Sequence, residues 1–394
     1  MLNALFRARL AVLGLLIVLA AVACAMFPPA APVRTIVTLG IAMAAAVAVS
    51  FLHLRHAGLA ILVAAAPIPG FLVATAAGFP VSPVLSYLPG LACAVFLADE
   101  IARAIATGIE RKIAAQDALR GSGLTACLAV AAIAMPMAAI LPFMKSPETA
   151  LLTTIASAFS AVLIVPLSAS LLPFSENFIT RANRLREWRE RMLEYFAAIT
   201  QPRWGMSAAG IAIVFAVLGF FGAQDLRIAL GGSLQIAVGA AAALSAFTAV
   251  FVATRDWRRA LSALLALTIP ALIALWGLTQ IGVPLDQQSL LLVLQTIGVA
   301  AVSIIFIAAE ASRYLSDDAA SLALLRKGAA AICIFFIAAL AEIAQWENAA
   351  MIAVQVAILF FGCVSAILFQ PAFAVALEML VPGKAALEAR YRVR

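Results

Sequence analysis

Charged side chains are scarce in this sequence, since Asp, Glu, Lys and Arg make up only 11% of its 394 residues. Soluble globular domains carry about 25% charged and about 45–50% apolar residues. Here 65% of the residues are hydrophobic and the mean hydropathy is +1.10. No soluble fold has an interior large enough for this much apolar surface. The shortage of charge therefore excludes a soluble protein and predicts an all-α polytopic membrane protein.

Histidine and cysteine are also rare, and their positions exclude the common metal and haem motifs. The histidines are His53 and His56, and the five cysteines stand singly inside apolar runs. The sequence has no CxxC pair, HExxH motif, phosphate-binding loop or recognisable Ser/His/Asp set. We therefore expect no metal, no cofactor, no catalytic residue and no enzyme activity.

Twelve apolar runs are long enough to cross a bilayer as helices, which takes about 20 residues. The first run follows Arg7 and Arg9 and ends near Cys24. Because Ala21 stands where a lipoprotein signal has Leu, we interpret this run as a span and not as a cleaved signal. The predicted spans are 10–27, 33–52, 57–79, 83–103, 122–143, 149–173, 205–222, 230–252, 260–281, 287–310, 328–345 and 349–372.

The basic residues predict the orientation of these spans. If the N-terminus is cytoplasmic, 23 of the 26 Lys and Arg residues face the cytoplasm, which leaves Arg34, Lys145 and Arg227 outside. This asymmetry is the positive-inside pattern. It predicts a multi-pass protein of the bacterial inner membrane with both termini in the cytoplasm. The net charge of +7 then reflects topology, and we expect no nucleic-acid partner.

A duplicated octet indicates that the chain consists of two similar halves. Phe96–Arg103 returns 210 residues later as Phe306–Arg313, and both copies place Glu three residues before Arg. The stretch 118–123 is echoed by 323–328 at a spacing of 205, and 51–55 is echoed by 251–255. Both halves begin on the same side of the membrane. The pattern therefore predicts two parallel six-helix repeats, each ending near a proline, Pro173 or Pro371.

The repeat divides the chain into four segments. Residues 1–174 form the first repeat and residues 205–375 the second, with a cytoplasmic tail over 376–394. Between the repeats, 175–204 is a polar linker in which Leu185, Trp188, Met192, Tyr195 and Phe196 have helical spacing among Arg and Glu residues. We predict an amphipathic helix on the cytoplasmic membrane surface. A docking site for a soluble partner is the alternative.

Taken together, these features resemble the membrane domain of the resistance–nodulation–division (RND) superfamily, and in particular its lipid-exporting MMPL-like branch. The most similar stretch is Gln116-Asp117-Ala118-Leu119-Arg120-Gly121-Ser122-Gly123, which resembles the loop that leads into the fifth span of that family. The resemblance implies a permease for a lipophilic or lipid-like substrate, with the fourth and tenth spans side by side at the centre.

Two departures from the family pattern bear on function. The large extracytoplasmic domains of the family would follow the first and seventh spans, where this chain has only the loops 28–34 and 223–229. In the middle of the fourth span, where the family has a proton-carrying acid, this chain has Cys93 and Val95. The tenth span has Ser303 and Ile305 there. These substitutions argue against proton-driven pumping.

The candidate site residues form a stripe with seven-residue spacing on each central span. Seven residues are close to two helical turns, so each stripe lies on one face and would line the contact between the halves. On this interpretation the stripe is a polar seam or coupling path. The stripes comprise Ser86, Cys93 and Glu100 in the fourth span and Thr296, Ser303 and Glu310 in the tenth.

A simpler interpretation is structural. Glu100 would pair with Arg103, and Glu310 with Arg313, at i,i+3 near a solvated helix end. The small polar residues would then only allow close helix packing. Asp99 has no counterpart in the second half, where Ala309 stands, so any role for it is asymmetric.

Glu342 lies near the outer end of the eleventh span. It could bind a cation or a substrate amine, but reaching the membrane interface is the simplest expectation. For the whole chain, we expect an RND-like permease that works with membrane lipids and with separate extracytoplasmic or membrane partner subunits. The alternative is a non-pumping scaffold or lipid-binding subunit of a larger complex.

Overall fold

The structure is a computed structural model that describes residues 2–26, 33–78, 80, 82–143, 147–174, 187–188, 190–198, 201–226, 228, 232–314, 319–345 and 349–381. The regular elements in these ranges are helices, apart from one isolated bridge between Ile228 and Leu285. The first half contains α1 (Leu2–Arg7), α2 (Arg9–Met26), α3 (Val33–Leu54), α4 (Ala57–Ala65), α5 (Ile68–Thr75), α6 (Pro83–Ala106), α7 (Arg111–Gly121), α8 (Gly123–Ile140), a 3₁₀ turn (Leu141–Phe143) and α9 (Pro147–Ala169). The second half contains α10 (Pro202–Gly222), α11 (Gly232–Thr254), α12 (Trp257–Gln280), α13 (Gln287–Ala311), α14 (Ala319–Ile343), α15 (Ala349–Val364), a π-turn (Ser365–Phe369) and α16 (Gln370–Leu380).

Within the described residues, twelve helical segments are long and apolar enough to cross a membrane. In chain order these spans are α2, α3, α4 with α5, α6, α7 with α8, α9, α10, α11, α12, α13, α14, and α15 with α16. The chain is therefore an all-helical, multi-pass membrane protein, and the predicted fold class of two six-helix repeats is confirmed.

Proline shapes two of the spans. The third span breaks between α4 and α5 because Pro67 has no N–H to donate and interrupts the helical hydrogen bonds. The twelfth span was expected to end near Pro371, but it continues to Leu380. The π-turn Ser365–Phe369 precedes Pro371, and its wider backbone leaves room for the ring of a proline that would clash with a regular helix.

The two halves repeat the same unusual turn. Arg55 ends the second span with φ +55°, and Arg255 ends the eighth span with φ +56°. Each residue is in the left-handed region and donates its N–H to a phenylalanine carbonyl four residues earlier, at 2.8 and 2.7 Å. The next residue, His56 or Asp256, then caps the following helix with its side chain. This agreement supports the predicted alignment of 51–55 with 251–255.

Contacts between distant residues separate the two ends of the bundle. His56 Nε2 lies 3.0 Å from the carbonyl of Pro173, and Arg111 donates to the carbonyl of Leu172 at 3.1 Å. We name this end the basic end, because the arginine-rich loops of the sequence emerge there. At the opposite end, Gln287 donates to the carbonyl of Phe143 at 3.3 Å.

The fourth and tenth spans lie at the centre of the bundle. Of their membrane windows 94% and 83% are buried in protein, against 6% for the first span. Small residues permit this burial. A Cβ on Gly90 would lie 2.8 Å from the backbone of Ser157 in the sixth span, and one on Gly362 would lie 2.3 Å from Cβ of Ala300. Close backbone approach at small residues is how membrane helices gain packing energy.

Within the predicted linker, residues 190–197 are helical. Leu193 is buried and packs beside Gly328 at the start of the eleventh span, whereas Trp188 and Tyr195 are exposed. Leu193, which lies off the predicted apolar face, therefore packs the linker against the protein. Leu185 and the rest of 175–186 lie outside the described residues, as does the tail beyond 381.

Candidate functional site

The fourth and tenth spans meet at a pair of equivalent phenylalanines. The ring centroids of Phe96 and Phe306 are 4.3 Å apart, and the ring planes differ by 7°. Because residues 210 positions apart stack on each other, the axis that relates the two halves passes between these rings. The expected placement of the two spans side by side is confirmed, and we name their contact the inter-half seam.

The predicted stripe lies along this seam and is buried except at Glu100, whose side chain is 21% exposed. Ser86 Oγ accepts a hydrogen bond from Gln295 Nε2 at 2.9 Å, which joins the halves near the end opposite the basic end. Thr296 donates its hydroxyl hydrogen to the carbonyl of Leu292 in its own helix. Cys93 and Ser303 are buried farther along the seam. The stripe thus marks the contact, and at this end Gln295, which the seven-residue spacing does not include, reaches across it.

At the basic end of the seam, Glu100 is bound by two cations from the second half. Its Oε2 lies 2.8 Å from Nζ of Lys327, and its Oε1 lies 3.2 Å from Nη1 of Arg313. Ser122 donates its hydroxyl hydrogen to the same carboxylate. The Lys327 side chain is only 4% exposed. A partly exposed carboxylate of one half is therefore neutralised by the other half, in part through a buried lysine.

Glu310, the counterpart of Glu100, shares both cations. Its Oε2 lies 2.9 Å from Arg313 Nη1 and 4.0 Å from Lys327 Nζ, and its side chain is 2% exposed. We name Glu100, Ser122, Glu310, Arg313 and Lys327 the inter-half charge cluster. Two carboxylates face two cations, so the cluster balances its charge across the seam.

One of the two predicted i,i+3 pairs is present and one is wrong. Arg313 binds Glu310 as predicted, but Arg103 donates to Asp99 Oδ2 at 2.6 Å and not to Glu100. Asp99 Oδ1 also lies 3.0 Å from Nε2 of His53 in the second span. Because Ala309 replaces Asp99 in the second half, Arg313 has no such competitor and remains available to Glu310 and Glu100.

The motif that carries the family resemblance forms one wall of the charge cluster. Ser122 belongs to it, and so does Gly121, where a Cβ would lie 2.7 Å from Arg313 Nη2 and 3.3 Å from Glu100 Oε1. A larger residue at this position would require the Arg313 guanidinium to shift away from its present position. Within the described residues, no group of three or more His, Cys, Asp or Glu side chains is arranged to hold a metal ion.

Tyr314, just beyond the tenth span, closes the cluster toward the basic end. Its hydroxyl donates to Glu310 Oε1 at 3.1 Å, and the Arg326 guanidinium lies 5.2 Å from its ring centroid. Burial and the neighbouring Glu310 charge raise the pKa of Tyr314 to about 12. The phenol therefore stays protonated and remains a donor to Glu310 at neutral pH.

Glu342 does not reach the membrane interface, contrary to the simplest expectation. Its side chain is fully buried, and Oε2 accepts a hydrogen bond from Gln345 Nε2 at 2.6 Å. Its Oε1 is buried with no hydrogen-bond partner among the described residues. Counting residues along the span located the acid near a helix end. Neighbouring helices cover Glu342, and its position along its own helix does not reveal them.

A large apolar cavity lies between the two halves, on the side away from the basic end. Its volume is about 560 Å³, and its walls come from the fifth span of the first half and from the seventh to tenth spans. The described lining contains two polar side chains, Gln224 and Thr268, and no charged one. Representative lining residues are Ile133, Pro136, Phe220, Ala242, Leu272 and Ile297.

Comparison with solved structures identifies the fold. The helices match a crystal structure of SecDF, a translocon-associated membrane protein from Thermus thermophilus, with a TM-score of 0.60 and 14% identity over 88% of this chain. The chain has the fold of SecDF. A structure of SecDF in its super-membrane-facing form gives a TM-score of 0.55 and 13% identity over 94% of this chain.

The similarity to SecDF is limited to part of that protein. The match covers 62% and 63% of the two SecDF chains. SecDF belongs to the RND superfamily, so the resemblance to RND membrane domains is confirmed as a similarity of fold. No protein-family profile and no curated protein matches the sequence.

Within this SecDF fold, sequence reasoning missed two ligands of Glu100. Lys327 and Ser122 are equivalents at the same 205-residue spacing that relates Gly328 to Gly123, and both contact Glu100. The alignment of the two repeats could have identified them as equivalent positions. Lys327 was overlooked because the eleventh span was predicted to begin at residue 328, whereas the helix begins at Ala319.

Proposed function

We propose that this chain is an RND-like inner-membrane permease for a lipophilic or lipid-like substrate of the MMPL type. The observation that carries the proposal is the apolar cavity of about 560 Å³ between the halves. Ligand sites for small molecules have volumes of about 300–1,000 Å³ and mostly apolar walls. A cavity of this size and lining accommodates an acyl chain or a comparable apolar molecule.

The walls of the cavity suit a transporter because they come from both halves. Ile133 and Pro136 belong to the first half, while Ala242 and Ile297 belong to the second. A relative movement of the halves would change the shape of the cavity, as alternating access requires. The charge cluster crosses the same seam at the basic end, so it would hold the halves together while the cavity opens or closes.

The distribution of basic residues supports the orientation of this site. With the basic end in the cytoplasm, the cavity lies in the outer leaflet of the inner membrane. A substrate would then enter sideways from that leaflet. The loops 28–34 and 223–229 are too short to hold substrate-handling domains. We therefore propose that separate extracytoplasmic or membrane partner subunits receive the substrate, and that the chain is not itself an enzyme.

A non-pumping scaffold or lipid-binding subunit is the second candidate. Cys93 and Ser303 favour this candidate, because they stand at the mid-span positions where RND pumps carry an acid. Both carboxylates of the charge cluster are also already bound by cations. On this alternative the cavity holds a structural lipid that never leaves.

Reconstitution distinguishes the two candidates. Purified protein in proteoliposomes would be tested for movement of a fluorescent phospholipid between leaflets, with and without an imposed proton gradient. A permease moves the lipid faster than protein-free liposomes do, and Glu100→Gln with Glu310→Gln slows the movement if the cluster couples the halves. Transport unaffected by both substitutions removes the cluster from the mechanism. No movement under any gradient, together with tightly retained lipid, supports the scaffold.

A further inference from the structure

A second cavity lies at the end of the bundle opposite the basic end, and its character is polar. Its volume is about 300 Å³. Exposed Asp286 and Gln288 stand at its mouth, while Ser82, Ser289 and Gln355 are buried. Carboxylate, amide and hydroxyl groups supply its polar atoms. None of its described lining residues is basic.

Two carboxylates at this polar cavity pair with no cation among the residues that the structure describes. Asp286 caps the tenth span by accepting from the N–H of Ser289 at 2.8 Å, and makes no ion pair within the described part of the chain. Gln345 lines the cavity and donates to Glu342, so the Glu342 carboxylate lies one hydrogen bond behind the wall. Glu342 is fully buried and Asp286 is exposed, so a positively charged ligand in the cavity would stabilise the charged form of the Glu342 carboxylate.

A glutamine in the same wall offers hydrogen-bonding groups to a ligand. Gln355 is 5% exposed and lines the cavity. Its side-chain amide makes no hydrogen bond to any residue that the structure describes. Because Gln355 lines the cavity, a ligand there can supply the hydrogen-bond partner that such an amide normally has. Its carbonyl oxygen is a suitable acceptor for an N–H donor or for the hydrogens around a quaternary nitrogen.

We infer that this polar cavity binds an ammonium group, held between Asp286, Gln355 and the Gln345–Glu342 pair. The volume suits an organic ammonium compound and is larger than a bare metal ion needs. The group could belong to a free amine or to a phospholipid headgroup. The outer turns of the tenth span separate this cavity from the apolar cavity, which Leu285, Leu290 and Leu294 line on the other side. Binding of the ammonium group does not depend on whether the chain transports.

The free-amine arm of the test uses two probes that differ only in charge. Isothermal titration calorimetry would compare choline with 3,3-dimethyl-1-butanol, its neutral isostere, on the purified full chain. In the lipid arm, native mass spectrometry would compare retention of phosphatidylethanolamine with retention of phosphatidylglycerol. We expect a preference for the ammonium compound in at least one arm. Preference in the lipid arm alone identifies a headgroup site, and equal behaviour of both members of each pair overturns the inference.

Substitutions locate the preference. Glu342→Gln preserves size and can keep the bond to Gln345, and we expect it to weaken ammonium binding by about 30-fold or more. Asp286→Asn keeps a side chain that caps helices, so the fold is retained while one charge is lost. Glu148→Gln, at an exposed acid in the sixth span, is the matched control and leaves binding unchanged. If both cavity variants fold and retain the full preference, the site is not there.

Discussion

Removal of Lys327 tests whether the inter-half charge cluster holds the two halves together. At 2.8 Å and an effective dielectric constant of about 20, the attraction between Lys327 and Glu100 is about 6 kcal/mol before desolvation. At 4.0 Å the attraction to Glu310 is about 4 kcal/mol on the same basis. Desolvation offsets much of this sum. Loss of one partner from a buried pair nevertheless costs about 3–5 kcal/mol, because it leaves an unpaired charge.

Lys327→Met keeps the length of the side chain and removes its charge, so we expect it to lower the free energy of unfolding by about 3–5 kcal/mol. Arg326→Met is the matched control. Arg326 is the neighbouring residue and lies 3.8 Å from Glu310, but its side chain is 59% exposed. We expect a change of about 0–1 kcal/mol for this exposed pair. Both values would be measured by reversible SDS-induced unfolding in mixed micelles.

A double-mutant cycle assigns the effect to the pair. If Lys327 acts on Glu100, then Glu100→Gln combined with Lys327→Met costs less than the sum of the single variants, by about 1–3 kcal/mol. An energy of coupling within experimental error of zero would contradict the pairing. So would a Lys327→Met variant that unfolds no more easily than Arg326→Met.

Three further predictions concern the backbone and the cluster. Arg255→Val should lower the free energy of unfolding by about 1–2 kcal/mol relative to Arg255→Gly, because both remove the charge but only glycine tolerates the left-handed φ of +56°. Gly90→Ala should cost about 1–3 kcal/mol in the same unfolding assay, since its Cβ would lie 2.8 Å from backbone, whereas Gly210→Ala has open space and should cost nothing. Spectrophotometric titration of the wild type should show a tyrosine ionisation near pH 12, and this ionisation should be missing in Tyr314→Phe. Tyrosine in the unfolded chain ionises near pH 10, so the stability that Tyr314 contributes to the folded protein is present below pH 10 and is lost as the pH rises toward 12. Ionisation of Tyr314 near pH 10 would refute its assigned burial.

The architecture could be predicted because its signals lie in short stretches of sequence. Hydropathy located the twelve spans, since a span needs only about 20 consecutive apolar residues. The echo of Phe96–Arg103 in Phe306–Arg313 predicted the duplication. The stack of Phe96 on Phe306 then shows that equivalent positions meet in space. Helix ends were less accurate, because Ala319 begins a helix whose first turns are too polar for a hydropathy window.

The partners of the charged residues could not be predicted in the same way. Glu100 was located on the seam, but its ligands Arg313 and Lys327 are 213 and 227 residues away in the chain. Local spacing favoured Arg103 as the partner of Glu100. The structure shows that Arg103 pairs with Asp99, which also contacts His53 in the second span. Burial, unlike periodicity, depends on every neighbouring helix.

The environment of Glu342 shows the same limit. Position along the eleventh span placed it near an interface, where an acid is inexpensive. The structure buries it fully and leaves one oxygen without a described partner. Hydropathy treats a span as an isolated helix in lipid. Hydropathy therefore does not report the neighbouring helices that bury the Glu342 carboxylate.

Filling the apolar cavity tests the proposed function most directly. Ala242→Phe places a large side chain in the cavity, and Ala240→Phe places the same side chain on the exposed face of the same helix. The measurement is the rate at which a fluorescent phospholipid crosses between leaflets of proteoliposomes that contain only this chain. We predict rapid movement for the wild type and for Ala240→Phe, and a severalfold slower rate for Ala242→Phe. Equal rates for the two variants, or no movement with the wild type, would contradict a permease that uses this cavity.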